Sequence, residues 1–289
     1  MKNIINYYYN IIVREYKKVS NKYEFLIDEY KYEFIPCFFD INEILKISSI
    51  AYINNRYIYE IIKNKNNEFI TIFDNTPHIL IKKEILRDLD YNLVDIYNYD
   101  IILNIKKNIN WKELWINKID YYNEQMNEVG INYPLLNKSF TYYVGLSELA
   151  INILNYVNYD NIVNTFAHKR IEKKEDLYDP LNIIIDTKVR DIAEYIKKEF
   201  FYGEIKLEEI KQFIISNIIS KDEIMLLIAR LIYPSYYFDI YEQIFIEKEE
   251  KKDLEKIIKK NTQYEVFLKT FYNEIKNLYK LPRIEFLEY

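Results

Sequence analysis

The stretch of this chain whose residue types could do chemistry is 167–196, AHKRIEKKEDLYDPLNIIIDTKVRDIAEYI. It holds His168, one of the two histidines in the chain, followed by the basic pair Lys169 and Arg170 and a mixed-charge run. An apolar run then ends in Asp186, with Asp191 five positions further on. A histidine-containing turn followed by an apolar strand that delivers a carboxylate into a loop suggests phosphotransfer, in which side chains position the acceptor and hold the metal ions on the phosphates. His168 also has a plainer reading, as a turn histidine hydrogen-bonded to backbone.

Composition narrows the other chemistries. Cys37 is the one cysteine among 289 residues, which excludes an intrachain disulfide and a thiolate metal cluster. The histidines, His78 and His168, are too few for an ordinary zinc site. The three glycines, Gly130, Gly145 and Gly203, leave the first 129 residues without one. A Walker A loop, a dinucleotide-binding fingerprint and a kinase-type glycine-rich loop are therefore all absent. So few glycines also predict few backbone positions at positive φ. Lys plus Arg number 40 and Asp plus Glu 45, interspersed along the chain. Nucleic-acid binders usually carry a basic stripe instead, so no nucleic-acid partner is expected. The stretch MKNIINYYYNIIVREYKK lacks the apolar core and cleavage site of a signal peptide, and no run approaches the length of a membrane span. These features predict a cytoplasmic protein.

The elements that must position the candidate residues follow from periodicity. Tyr23–Asp28 and Tyr32–Phe39 read as strands about a turn at Asp28 and Glu29. Asp40 is placed to cap a helix over INEILKISSIAYI, with Glu43 three residues on in a capping-box pattern. Tyr57–Ile62 and Phe69–Phe73 read as a hairpin around KNKNNE, and Ile79–Ile81 as a further short strand. Helical spacing takes over from about residue 84. Trp111–Val129 reads as an amphipathic helix stopped by Gly130, and Ser139–Val157 as a buried one. Asn161–Phe166 and Leu181–Ile185 read as strands flanking the mixed-charge loop, and Asp191–Phe201, Leu207–Ile218 and Asp222–Tyr233 as helices. The last of these is apolar almost all round. Asp253–Tyr279 is helical with a break near Asn261, and the run EKEEKKDLEKIIKK at 247–260 reads as a solvated helix face. The expected architecture is α+β: a strand-rich lobe over 1–83, with one helix on a small antiparallel sheet, and a mainly helical lobe over 84–289.

The segments YYVGLSELAINIL (142–154), AHKRI (167–171), IDTKVRDIAEYI (185–196) and ARLIYPSYYFDIYE (229–242), with QYEVFLKTFYNEI (263–275), carry a resemblance. The chain resembles the spore-coat CotS/YutH family, kinase-like proteins related to aminoglycoside and choline phosphotransferases. The resemblance implies a two-lobed, protein-kinase-like fold. In active relatives the turn after the first strand carries a His-Gly-Asp-like motif whose aspartate takes up the acceptor proton. An asparagine about five residues later helps hold magnesium, and an aspartate after the next strand binds the metal ions. That pattern lays His168 on the histidine, Lys169 on the second position and Arg170 on the aspartate. Arginine has no acceptor and cannot serve as a base. No asparagine lies at the required spacing; Asn182 is expected on the second strand. Asp186 matches the metal-binding aspartate, as a vestige, and Asp191 matches the aspartate that opens the next helix, where the macrodipole favours it. Glu43 matches the helix glutamate that pairs with a nucleotide lysine, with Lys31 and Lys82 as possible partners, or else is a capping residue.

The expectation is a degenerate catalytic loop in which Arg170 pairs with Asp186 or Asp191, and no cofactor. If the chain is an enzyme after all, ATP and magnesium are implied, with Asp176 or Asp179 as replacement base. An ATP-binding sensor without transfer is the third reading. The resemblance further implies spore-coat or morphogenetic proteins as partners, and a location in the mother-cell cytoplasm and spore coat.

Overall fold

The computed structural model describes residues 1–99, 103, 110–218, 220–248 and 252–288. The chain separates into two compact units: Met1–Tyr91 with His168–Ile184, and Asn92–Ala167 with Ile185–Tyr289.

The first unit is built on one antiparallel sheet. Its elements in order are α1 (Lys2–Tyr9), β1 (Lys17–Val19), β2 (Lys22–Ile27), β3 (Tyr30–Pro36), α2 (Ile41–Ile53), β4 (Glu60–Ile62), β5 (Thr71–Phe73) and β6 (Thr76–Glu84). The strand order is β1-β2-β3-β6-β4, with β5 also paired to β6. The β2–β3 turn falls at Asp28 and Glu29, with Ile27 opposite Tyr30. Asp40 caps α2, its Oδ1 accepting from Asn42 N at 2.9 Å.

The hairpin expected between 57–62 and 69–73 does not form. Both segments pair with β6 instead. Asn64 wraps the intervening loop around itself: its Oδ1 accepts from Asn66 N and Glu68 N, and its Nδ2 donates to Ile70 O and Thr71 Oγ1. The tight turn lies one connection later. Phe73 sits opposite Thr76, with Asp74 (φ 50°) and Asn75 (φ 57°) between them. Positive φ at both central residues makes a type I′ turn, whose twist suits a two-residue hairpin. β6 accordingly runs nine residues rather than three.

Both faces of β6 are covered, which explains the unbroken apolar run HILI at 78–81. Ile79 and Ile81 pack with Cys37, Ile44, Tyr59 and Ile61, and with Tyr178 and Leu181. Leu80, pointing the other way, packs with Ile5, Val13, Phe25 and Phe34. Ile5 belongs to α1, a helix not expected from the sequence.

The second unit contains α3 (Leu93–Tyr99), α4 (Trp111–Val129), α5 (Pro134–Ile153), α6 (Val189–Tyr202), α7 (Leu207–Asn217), α8 (Lys221–Ile232), α9 (Ser235–Glu247) and α10 (Lys252–Tyr279). A separate two-stranded ribbon, β7 (Asn164–His168) with β8 (Ile183–Thr187), has strands that each pass from one unit to the other. Helix α8 is the centre of the second unit; every residue from Glu223 to Ile232 is buried. It packs on α5 and α6. α9 follows Pro234, in a stretch where the sequence predicts no helix.

Two expectations here are corrected. α10 runs unbroken through Asn261, whose Oδ1 accepts from the Tyr143 hydroxyl at 2.6 Å. Its polar side chain is anchored to α5 instead of interrupting the helix. Gly130 is not a left-handed stop: it has φ −58° and opens a single 3-10 turn over Gly130–Asn132. A Cβ there would come within 2.6 Å of Met126 Cε, the far end of a flexible side chain that can move aside. Residues 249–251 of the charged run at 247–260 lie outside the described residues.

Candidate functional site

The turn after β7 is held from both ends. His168, the last residue of β7, is buried, and its Nε2 lies 3.1 Å from Leu177 O. A carbonyl only accepts, so Nε2 carries the proton and donates it. Asn182 is in the turn before β8 rather than on the strand. Its Oδ1 accepts from Arg170 N at 3.1 Å, and its Nδ2 donates to Arg170 O (2.6 Å) and Asp176 O (2.9 Å). Lys169 N donates to Asn182 O. Asn182 therefore clamps the backbone of Arg170. Lys169 and Arg170 are exposed, and the Arg170 guanidinium lies 3.9 Å from Glu172.

The two carboxylates considered as replacement bases have structural engagements. Asp176 Oδ2 accepts from Glu172 N and Lys173 N and so caps the short helical turn Lys174–Leu177. Asp179 Oδ1 accepts from Leu181 N, and its Oδ2 pairs with Lys83 Nζ at 2.6 Å.

Lys83, which no local sequence signal marks, is a buried lysine of the sheet. Its Nζ lies 2.9 Å from Glu33 Oε2, and both residues are inaccessible. Burial alone would raise the Glu33 pKa, but Lys83 and Lys22 overcome it and hold Glu33 at about 2. The same charges act in reverse on Lys83: burial opposes its charge, and Asp179 and Glu33 raise its pKa. Of the lysines expected, Lys31 bridges Glu33 (3.3 Å) and Glu175 (3.5 Å). Lys82 points to the other face and lies over the Tyr30 ring. Glu43 is exposed in the first turn of α2.

In the second unit, Asp186, the last residue but one of β8, is almost wholly buried. Its Oδ1 accepts from Trp111 Nε1 (3.1 Å) and Thr187 N (2.8 Å). Its Oδ2 pairs with Arg190 (3.1 Å) and Arg230 (3.3 Å). The cations on Asp186 thus come from α6 and α8, where the sequence reading looked to Arg170. Both guanidinium groups also lie over the Trp111 ring, at 5.1 and 4.2 Å. Asp191 is buried in the first turn of α6. Beside the cage, Lys197 pairs with Glu194 and donates to Arg230 O, drawing α6 onto the end of α8.

One signal could have found Arg230. It is the single charge in the apolar run 224–232 of α8, and an arginine is rarely fully buried unless paired. Arg190, four residues after Asp186 across a strand-to-helix junction, has no such signature.

A model of the family described as "Spore coat putative kinase YutH" matches residues 2–271. The chain belongs to this family. Over 209 residues it is 30% identical to the endospore coat-associated protein YutH of Bacillus subtilis (strain 168). That match spans 61% of each chain, less than two thirds of the relative's length. Among solved structures, the aminoglycoside phosphotransferase of Alicyclobacillus acidocaldarius subsp. acidocaldarius DSM 446 aligns over 96% of both chains, with 10% identity and a TM-score of 0.61. Spectinomycin phosphotransferase bound to ADP and spectinomycin aligns over 95% of this chain and 93% of its own, with 12% identity and a TM-score of 0.57. These likenesses give the fold, which is the kinase-like, aminoglycoside phosphotransferase-like architecture that the sequence resemblance implied. Among the described residues, no helix of this YutH-family chain is long and apolar enough to cross a membrane.

Proposed function

We propose that this YutH-family chain is a kinase-like protein that has lost phosphotransfer chemistry and acts by binding other proteins, as a component or assembly adaptor of the spore coat. The observation that carries the chemical half is the Asp186 cage. A carboxylate offers about four lone-pair positions. Here two arginines, an indole N–H and a backbone N–H take them. The magnesium ions that the fold family implies do not fit such a donor set, which already carries two positive charges at the carboxylate. No phosphotransfer step is therefore derived.

Further support comes from the β7–β8 turn. Arg170 stands at the position of the base, Asn182 is spent on the backbone of that turn, and Asp176 and Asp179 are held by backbone donors and Lys83. Positioning an acceptor and stabilising the transferring phosphoryl group are the main terms of this chemistry, and the groups for both are engaged elsewhere. The coat half rests on the coat-associated relative in Bacillus subtilis. Exposed Phe38, Tyr52 and Ile53 provide apolar area of the kind protein contacts use.

Thermal unfolding with ATP and magnesium tests the reading, alongside a phosphotransfer assay. The expected outcome is no magnesium-dependent stabilisation and no turnover. Asp186→Ala is expected to lose about 3–5 kcal/mol of stability, because it strands two buried guanidinium groups. Stabilisation by ATP and magnesium that Asp186→Ala abolishes, together with turnover, would overturn the reading. Stabilisation without turnover would instead favour a nucleotide-sensing adaptor.

A further inference from the structure

Within the second unit, α3, α6 and α7 enclose a cavity of about 390 Å³. At 3.6 residues per turn, Arg190, Glu194 and Lys197 share one side of α6, and Tyr195 and Glu199 lie on the opposite side. The cavity opens on that opposite side, so it is separate from the Asp186 cage. Its walls are apolar: Leu93 from α3, Tyr195 from α6, and Ile205, Ile210 and Phe213 from α7 and the residues before it. Tyr97 packs edge-on against Phe213, with ring centroids 5.9 Å apart.

The charges on this cavity are unbalanced. Glu199, Glu204 and Glu209 line it against one lysine, Lys206. Lys206 is committed to Glu209 at 3.0 Å, and those two side chains are 68% and 70% exposed. An exposed pair of this kind contributes little stability and exchanges readily. Among the described residues, Glu199 and Glu204 have no salt bridge. Tyr195 registers the excess of negative charge: burial raises its pKa, and Glu199, Glu209 and Asp95 raise it further. An apolar chamber with carboxylates around it is complementary to a cation carried on an apolar stem. An arginine side chain has that form. Its methylenes suit the aliphatic walls, and its planar guanidinium bonds carboxylates in a fork and stacks on aromatic rings. Exposed Val94 (54%) and Tyr97 (38%) continue the apolar surface beyond the cavity. That extension gives the residues on either side of an arginine something to pack on, which favours a protein segment over a free amine.

We propose that the cavity between α3, α6 and α7 is a docking site for an arginine side chain from an otherwise apolar segment of a partner protein. The proposal rests on the reading above that this chain acts by binding proteins, and it adds the chemistry of one partner. The entering guanidinium gives Glu199 and Glu204 a counter-charge and competes with Lys206 for Glu209. The flanking apolar residues of the partner cover Val94 and Tyr97.

Fluorescence anisotropy of the labelled peptide Ala-Leu-Arg-Leu-Ala tests the proposal. The wild-type chain is expected to bind it, and to bind the same peptide with glutamine in place of arginine at least tenfold more weakly. Glu199→Gln/Glu204→Gln is expected to lose at least tenfold in affinity for the arginine peptide. Val94→Arg, which sets a competing cation on an exposed position of α3, is expected to do the same; if the double variant fails to fold, Val94→Arg carries the comparison. Glu208→Gln removes an exposed α7 carboxylate that pairs with Lys211 and does not line the cavity, and it is expected to bind as wild type does. Absence of binding by the wild type overturns the proposal, as does equal binding of the glutamine peptide or an equal loss in Glu208→Gln. Agmatine binding as tightly as the peptide also overturns it, by making a free amine the occupant. Phosphotransfer by the wild type would overturn the reading of lost chemistry whatever the peptide result, so the two failures are distinguishable.

Discussion

Glu33 concentrates the electrostatics of the sheet unit in one side chain. It is buried, it is bonded to three lysines, and its pKa is held at about 2 against an ordinary value of 4.5. A carboxyl group depressed on folding stabilises the folded state above its unfolded pKa. That stabilisation is lost as pH falls through the folded value. Urea denaturation of wild type and Glu33→Gln should differ by ~3 kcal/mol at pH 7. The difference should begin to close below pH 4.5 and be small near pH 2. A gap that stays constant across that range would show that Glu33 acts by packing alone. The residue was unremarked in the sequence because its meaning depends on register. Strand pairing sets Lys31 opposite Lys83 and Glu33 opposite Ile81, and no local pattern announces that.

At the level of elements, the chain solves its turns without glycine. Among the described residues, nine non-glycine residues adopt positive φ, six of them Asn or Asp, and no glycine does. The glycine count therefore misled: positive φ is plentiful here. Asn and Asp tolerate the left-handed region better than most because their short polar side chains bond locally. Lysine has no such compensation. Lys280 (φ 51°) ends α10, where Leu281 N donates back to Lys276 O in a Schellman-type closure. Lys280→Gly should raise stability by about 1 kcal/mol, with a Tm rise of about 2 °C. An unchanged or lowered Tm would show that the lysine side chain contributes more than the backbone strain removes.

At the scale of the molecule, the chain crosses between its two units three times, at 91/92, 167/168 and 184/185. The sheet unit is discontinuous in sequence. Residues 168–184 supply Tyr178 and Leu181 to its apolar cluster and Asp179 to Lys83. A fragment of residues 1–91 would thus keep a buried lysine and an uncovered apolar face. It is expected to lack cooperative unfolding and near-ultraviolet circular dichroism. Adding a peptide of residues 168–184 should restore part of that signal. A cooperatively folded 1–91 fragment would show that the β7–β8 loop is dispensable to the sheet.

The sequence by itself determined the elements whose signals are local. α2 begins at its Asp40 cap, α4 spans the predicted Trp111–Val129, α8 is core because it is apolar all round, and the β7–β8 pair flanks the charged loop. It also determined the family. Tertiary structure alone decided which charges meet. Asp186 is closed by Arg190 and Arg230 from two different helices, and Lys83 by Glu33 and Asp179 from far along the chain. The physical reason is range: caps and periodicity act over one or two turns of chain. A buried ion pair is chosen instead by which side chains packing brings within about 4 Å in a medium that penalises leaving any of them alone.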